Sequence, residues 1–423
     1  MVKLTIKRRL KMKIRTLVCI VVICLIVISA VLANADDYDW PRWRGPNGDG
    51  ISMETDWDPE ALARGPKIIW KVNVGMGHSN FAIKENRLYT IGIKGVYCLN
   101  AETGEEIWRR PLEDSFRDTY TTPTVEGKYL YALSSEGVLY CLKVKNGKVR
   151  WERDLISEYD VLVPFYGISG SPVIEDDLVI LNLNLSGIAL NKNKGEMVWV
   201  SEKYHPSMIC HQSKDLSGYA TPVLYEGKGK RCALMYHCTG LFSVDVHTGK
   251  QQWFFEFMNP GANASDPILF SNQVFLSTGW AYARCTLVEI TGNQPKEVWQ
   301  NKNMRNEFSS CVYIDGYLYG SDGDHGTRAR LRCIDVASGD VVWEKEMKMA
   351  SLISADGKLI VLEEDGTLHI AEATPSAYKE ISSCDVLEGE RKGRLFYTPP
   401  VLCKGKIYCR NYAGDLICID ISK

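Results

Sequence analysis

The sequence lacks every short signature that would fix a reaction. It has no Gly-x-Ser-x-Gly elbow, no phosphate-cradling Walker loop and no Rossmann fingerprint in a strand-to-helix setting. No long amphipathic helix interrupts its short strand-like runs. Only seven of the 423 residues are His. Charge of one sign is also missing overall, with 50 Lys and Arg against 52 Asp and Glu. Seven of those basic residues fall in 1–35, which has no acidic side chain, so the remainder is acidic. An acidic body without clustered Lys and Arg does not fit a phosphate backbone, which excludes nucleic acid as the expected partner.

Residues 1–35 read as a signal peptide: a basic start, an apolar run from Leu17 to Leu32, then Ala33-Asn34-Ala35 as a small-x-small cleavage pattern. An uncleaved anchor is the alternative, and it would be the chain's only membrane contact. Cys19 and Cys24 are not preceded by the small residues of a lipid-attachment box. The expected location is therefore the periplasm or cell envelope. Residues 36–65 form a lead segment and 66–423 one repeating domain.

The repeat is the strongest signal. Six segments superpose: CLNAETGEEIW (98–108), CLKVKNGKVRW (141–151), ALNKNKGEMVW (189–199), SVDVHTGKQQW (243–253), VEITGNQPKEVW (288–299) and CIDVASGDVVW (333–343). All but the fifth place Gly four residues before Trp, where a tight turn between strands needs positive φ. A Pro-Val-like strand followed by an aromatic strand lies upstream of each turn, as in TPTVEGKYLYAL (122–133). A seventh turn, IAEATPSAYKEI (370–381), has lost its Trp. The eighth is split, with CIDIS (418–422) at the end of the chain and GPKIIW (65–70) near its start. A repeat divided in this way predicts a closed ring: an all-β, eight-bladed β-propeller of four-stranded blades, the last blade taking a strand from each terminal region. Trp70, Trp108, Trp151, Trp199, Trp253, Trp299 and Trp343 are expected to be structural, docking blade against blade.

Fourteen cysteines in an exported chain point to disulfides. Cys98, Cys141, Cys333 and Cys418, however, share one repeat position and read as small buried residues. Cys210, Cys232, Cys238 and Cys285 are the disulfide candidates, with no pairing fixed.

The Asp/Asn-x-x-Thr-Gly-x-x-x-Trp pattern resembles the Trp-docking motif of pyrroloquinoline-quinone-like, quinoprotein-type propellers. No Trp-Asp pair recurs at blade period, unlike in WD40 repeats. DWPRWRGPNGDGIS (39–52) and YKEIS (378–382) resemble segments of the superfamily that includes the outer-membrane assembly factor BamB. The resemblance implies envelope protein partners and a scaffold role in outer-membrane assembly. It also raises an alternative, a quinone- and calcium-dependent dehydrogenase. Enzymes of that branch commonly carry two adjacent cysteines, and this chain has none. No calcium ligand set stands out, so no catalytic residue, cofactor or metal ligand is assigned. YHPSMICHQ (204–212) and SDGDHG (321–326) do not have recognised metal spacings and read as loops. The remaining candidate site is the mouth of the central channel. The residues just before each Pro-Val strand should ring it: His78, Tyr120, Tyr166, Tyr219, Asn263, Phe308 and Tyr397. They either hold a ligand or plug the channel.

Overall fold

The computed structural model describes residues 38–423, apart from 113–117, 162–163, 203–217, 260–262, 281, 293, 324–327 and 388–394. The leader, Cys210, and the histidines of 204–212 lie outside the described residues. So does most of the 321–326 loop.

Eight antiparallel four-stranded sheets follow one another along the chain. Blade one comprises Ala82–Lys84, Arg87–Gly92, Gly95–Asn100 and Glu106–Arg110, and the next six repeat that order. Blade eight joins Val401–Cys403, Lys406–Arg410 and Asp415–Asp420 to Ile68–Asn73 as its outermost strand. The expected split blade is therefore present, and its outer edge is covered by the chain's own early strand. The two middle strands of a blade are buried on both faces, as in Arg87–Gly92 and Gly95–Asn100, which explains their unbroken apolar reading. The outermost strands alternate, and in blade one only the Trp of that strand is buried.

A single local device repeats around the ring. Asn100, Asn191, Asp245 and Asp335 each accept two backbone N–H bonds from the residues two and three further on, folding the turn. The turn then reverses through the motif Gly, for example Gly104 at φ +73°. Immediately before each Trp the ladder skips a residue, so Cys98 faces Trp108 while Leu99 faces Glu106. Such a bulge bends the strand and re-aims the indole. Trp70, Trp108, Trp151, Trp199 and Trp299 then each lie on the turn glycine of the following blade. A Cβ at Gly147 would come within 2.6 Å of the Trp108 ring, and one at Gly104 within 2.8 Å of Trp70. The indole N–H donates to a carbonyl of the same turn: Trp70 to Ala101, Trp108 to Val144, Trp151 to Lys192, Trp199 to Val246, Trp299 to Val336 and Trp343 to Thr374, all at 2.7–3.1 Å.

Trp253 departs from this rule. The next hairpin pairs directly from Thr291 to Gln294, with its glycine, Gly292, shifted from the motif position four residues before the Trp. Trp253 bonds instead to the Tyr225 hydroxyl within its own blade, at 3.0 Å. In blade seven Ser382 faces Ile370 and so stands at the Trp position. The lead segment covers that strand. The Ser382 hydroxyl donates to the Pro59 carbonyl at 2.5 Å, and the 3-10 turn Ala61–Arg64 packs there with Leu62 buried.

Cys98, Cys141, Cys333 and Cys418 all pair directly with a docking Trp in the sheet register. Tyr89, Tyr131, Tyr319 and Tyr408 complete each row on the other side. These thiols are free, and burial raises the first three to about 11 and Cys418 to about 12, which makes them inert packing groups. Cys232 and Cys285 are also buried free thiols, so no disulfide joins these two, and Cys238 is buried as well.

The lead segment does more than precede the ring. Trp40 exchanges two backbone hydrogen bonds with Ile83, Pro41 accepts from Val125, and Ile51–Ser52 adds a parallel strand to Ala350–Ala355. Glu54 accepts from the Lys404 and Gly405 amides of blade eight. It thus bonds to inner strands, or the turns beside them, on opposite sides of the ring.

Two predictions follow from these contacts. Deleting 66–74 uncovers Asp415–Asp420 and should abolish the cooperative melt; a truncated chain as stable as the full one would contradict the split blade. Trp108→Ala should cost about 3–5 kcal/mol in denaturant unfolding, whereas Trp108→Phe, which keeps most of the packing, should cost about 1 kcal/mol for the lost hydrogen bond.

Candidate functional site

The first strands of neighbouring blades touch around the channel, and side-chain oxygens link them in sequence. The amide of Asn80 donates to Thr122 Oγ1, that of Thr122 to Ser171 Oγ, that of Ser171 to Thr221 Oγ1, that of Thr221 to Asp266 Oδ1, and that of Asp266 to Ser310 Oγ, at 2.7–3.1 Å. Asp266 takes the place of a Ser or Thr in this series. It is fully buried, which raises its pKa. Arg44 of the lead segment opposes that rise from 3.9 Å, and Trp43 donates to it at 2.6 Å.

Just beyond this hydrogen-bonded series lies a cavity of about 670 Å³. His78, Tyr120, Tyr166, Tyr219, Phe308 and Tyr397 line it, so six of the seven expected mouth residues are brought together. Asn263 is not among them. It is buried, donates to the His237 carbonyl at 2.9 Å and accepts from Asn259 at 2.9 Å. The physical reason is register. The position three residues before the strand's Pro, or its equivalent, faces the cavity. That position holds His78, Tyr120, Tyr219, Phe308 and Tyr397, but in blade five it holds Ala264 and in blade three Ser169. Tyr166 reaches the cavity from further up its loop.

The sequence reading missed Trp43, Asp118, Trp280, Glu307 and Tyr412, which also line the cavity. One signal was present: Asp266 breaks the Ser/Thr-Pro pattern at the head of an inner strand. Trp43 and Asp266 are shared with a second cavity of only about 20 Å³, lined also by Arg42 and Gly48 of the lead segment. They stand between the two cavities.

The rings form two groups. His78 stacks on Tyr120 at 5.0 Å and Tyr412 at 4.8 Å and meets Tyr397 at 5.3 Å, and Tyr397 in turn meets Phe308 edge-on at 5.7 Å. Across the cavity Tyr166 meets Tyr219 at 6.1 Å and Trp280 at 6.5 Å. Burial, aided by the Arg410 charge, lowers His78 to about 4, so its imidazole is neutral at pH 7. Arg410 does not line the cavity. Its Nη1 is enclosed by the Ser79 and Ile91 carbonyls and Thr90 Oγ1 at 2.6–2.8 Å. Asp118 accepts from the Tyr412 hydroxyl at 3.0 Å.

These residues do not fit a calcium–quinone pair. Calcium needs six to eight oxygens, yet among the described residues no three His, Cys, Asp or Glu side chains converge as a metal site. Both Asp266 oxygens are already engaged, and no cysteine lines the cavity.

A three-membered titratable group lies on blade seven. His369 sits between Glu363 and Glu380, with 2.8 Å from each ring nitrogen. Burial disfavours its charge, but the two carboxylates outweigh burial and raise its pKa above 6.5. For Glu380, burial is outweighed by His369 and its other donors, so its pKa falls below 4.5.

Eight blades, six of them docked by a Trp on the turn of the next, around an aromatic mouth define a quinoprotein-like β-propeller. The family described as outer membrane protein assembly factor BamB matches residues 60–161 and 120–345, and the chain belongs to that family. It is 22% identical over 362 residues to outer membrane protein assembly factor BamB of Escherichia coli strain K12, covering 72% of this chain and 88% of that protein. Against the BamB of Yersinia pestis it is 24% identical over 367 residues, covering 83% and 77%. Among solved structures, it superposes on the quinohemoprotein alcohol dehydrogenase of Comamonas testosteroni with TM-score 0.68 at 11% identity, covering 93% of this chain and 82% of that one. BamB from Moraxella catarrhalis gives TM-score 0.60 at 15% identity, covering 84% and 97%. At these identities the structural likeness speaks for the fold alone.

Two measurements test the electrostatics. Asp266→Ala strands the buried Arg44 charge and should cost about 3–5 kcal/mol of stability. His369 has a raised folded pKa, so its contribution is complete below pH 6.5 and is lost as pH rises through the folded value; that of Glu380 is complete above 4.5 and is lost as pH falls through its own. His369→Gln should therefore remove stability most at mildly acidic pH, and a pH-independent loss would contradict the assignment.

Proposed function

We propose that the chain is an exported, non-catalytic binding propeller of the cell envelope, which holds an envelope protein at its open mouth during outer-membrane protein assembly. The observation that carries this reading is the aromatic mouth. Trp280, which lines it, stands 48% exposed, and Phe165, packed edge-on against the lining Tyr166, stands 70% exposed. Large exposed aromatic patches mark interaction sites, and Tyr and Trp are the side chains that concentrate binding energy. The family's name supports the assembly setting, and fold alone does not assign function.

Purified protein carrying Phe165→Ser and Trp280→Ser should fold like the parent yet lose co-purification with outer-membrane assembly proteins from envelope extract. The competing enzyme reading has its own test. Pyrroloquinoline quinone with calcium should leave the thermal melt unchanged, since a ligand at a hundred times its dissociation constant would add about 2.7 kcal/mol. A chelator-sensitive upward shift would establish the dehydrogenase reading instead.

A further inference from the structure

Among the described residues, the formally charged side chains that line the mouth are all acidic. The lining carries Asp118, Asp266 and Glu307, and among the described residues no Lys or Arg lines it. His78 contributes no positive charge at neutral pH. The two nearby guanidiniums are committed elsewhere, Arg44 beside Asp266 and Arg410 beneath His78 among carbonyl oxygens. Asp266 is balanced by Arg44, whereas Asp118 stands at the cavity wall and accepts a neutral hydroxyl from Tyr412. Around these carboxylates the walls are aromatic faces, whose negative quadrupoles attract cations. Carboxylates set among aromatic faces suit a planar delocalised cation, which can stack on a ring and present N–H donors to a carboxylate at the same time.

We infer that the cavity takes an arginine side chain carried on an extended segment of the partner protein, stacked within the aromatic wall and hydrogen-bonded to Asp118. The inference deepens the reading of the mouth as a partner site and rests on it. The rim decides for a protein segment over a free organic cation. A small cation would be satisfied inside the cavity and would leave the exposed Phe165 and Trp280 in water, whereas a chain crossing the mouth covers them while its basic side chain descends.

The test uses the full folded chain and three probes, read by the fluorescence of Trp280 and Trp43. The first is the peptide acetyl-Gly-Ser-Leu-Arg-Leu-Ser-Gly-amide; the second is the same peptide with citrulline, which keeps the shape and removes the charge; the third is tetramethylammonium. The arginine peptide should bind about tenfold more tightly than its citrulline twin. Asp118→Asn and Phe308→Leu should each remove most of that difference while leaving the melt unchanged. Equal binding of the two peptides, or binding of neither, overturns the inference. So does tetramethylammonium binding as tightly as the arginine peptide, which would make the ligand a free cation. Each of these failures leaves the co-purification test of the rim variants standing on its own, so the partner-site reading can survive the loss of the arginine.

Discussion

The structure depends on one contact, an indole laid across the turn of the next blade. The contact needs three things at once: a glycine that leaves room for the ring, a turn carbonyl aimed at the indole N–H, and a bulge that swings the Trp out of its own ladder. Each serves the other two. A side chain at Gly147 would both strain a φ of +66° and collide with Trp108. The contact runs from a blade to its successor at six of the eight junctions, and there it helps to set the angle between sheets.

Where the contact is missing, something else has been recruited. Blade four turns its Trp253 to Tyr225 within its own blade, where the following hairpin has its glycine out of the motif position. Blade seven carries Ser382 instead of Trp and is covered by Leu62 and the Pro59 carbonyl. The lead segment is therefore part of the fold and of the site together. The same stretch that covers blade seven sends Trp43 and Arg44 to Asp266. Gly45, at φ +81° with its Cα against the Trp40 ring, allows the tight turn that makes this possible.

The repeat made the architecture legible because glycine and Trp recur for a steric reason that sequence displays directly. The four cysteines opposite the Trp residues were legible for the same reason, since a shared repeat position implies a shared environment. The mouth was legible wherever the count from the strand's Pro held, as at Tyr120 and Tyr219. It failed at Asn263, where one residue of slip turned the side chain toward His237. Trp280, Asp118 and Tyr412 were hidden because they come from loops and strand ends outside the repeated segments. Trp43 was hidden because its partner, Asp266, lies 223 residues away. Contacts made across a ring leave no local periodicity.

The divided blade has a consequence in time. Asn73 meets Asp415 across a separation of 342 residues, so the ring cannot shut until nearly the whole polypeptide is present. Pairing at such distance is slow, because the entropy of a very large loop is lost before any contact repays it. Until then Ile68–Asn73 waits without its neighbour while seven blades assemble around an open seam. Closure is thus the late event, and the seam is where a holding factor or a misplaced strand would act.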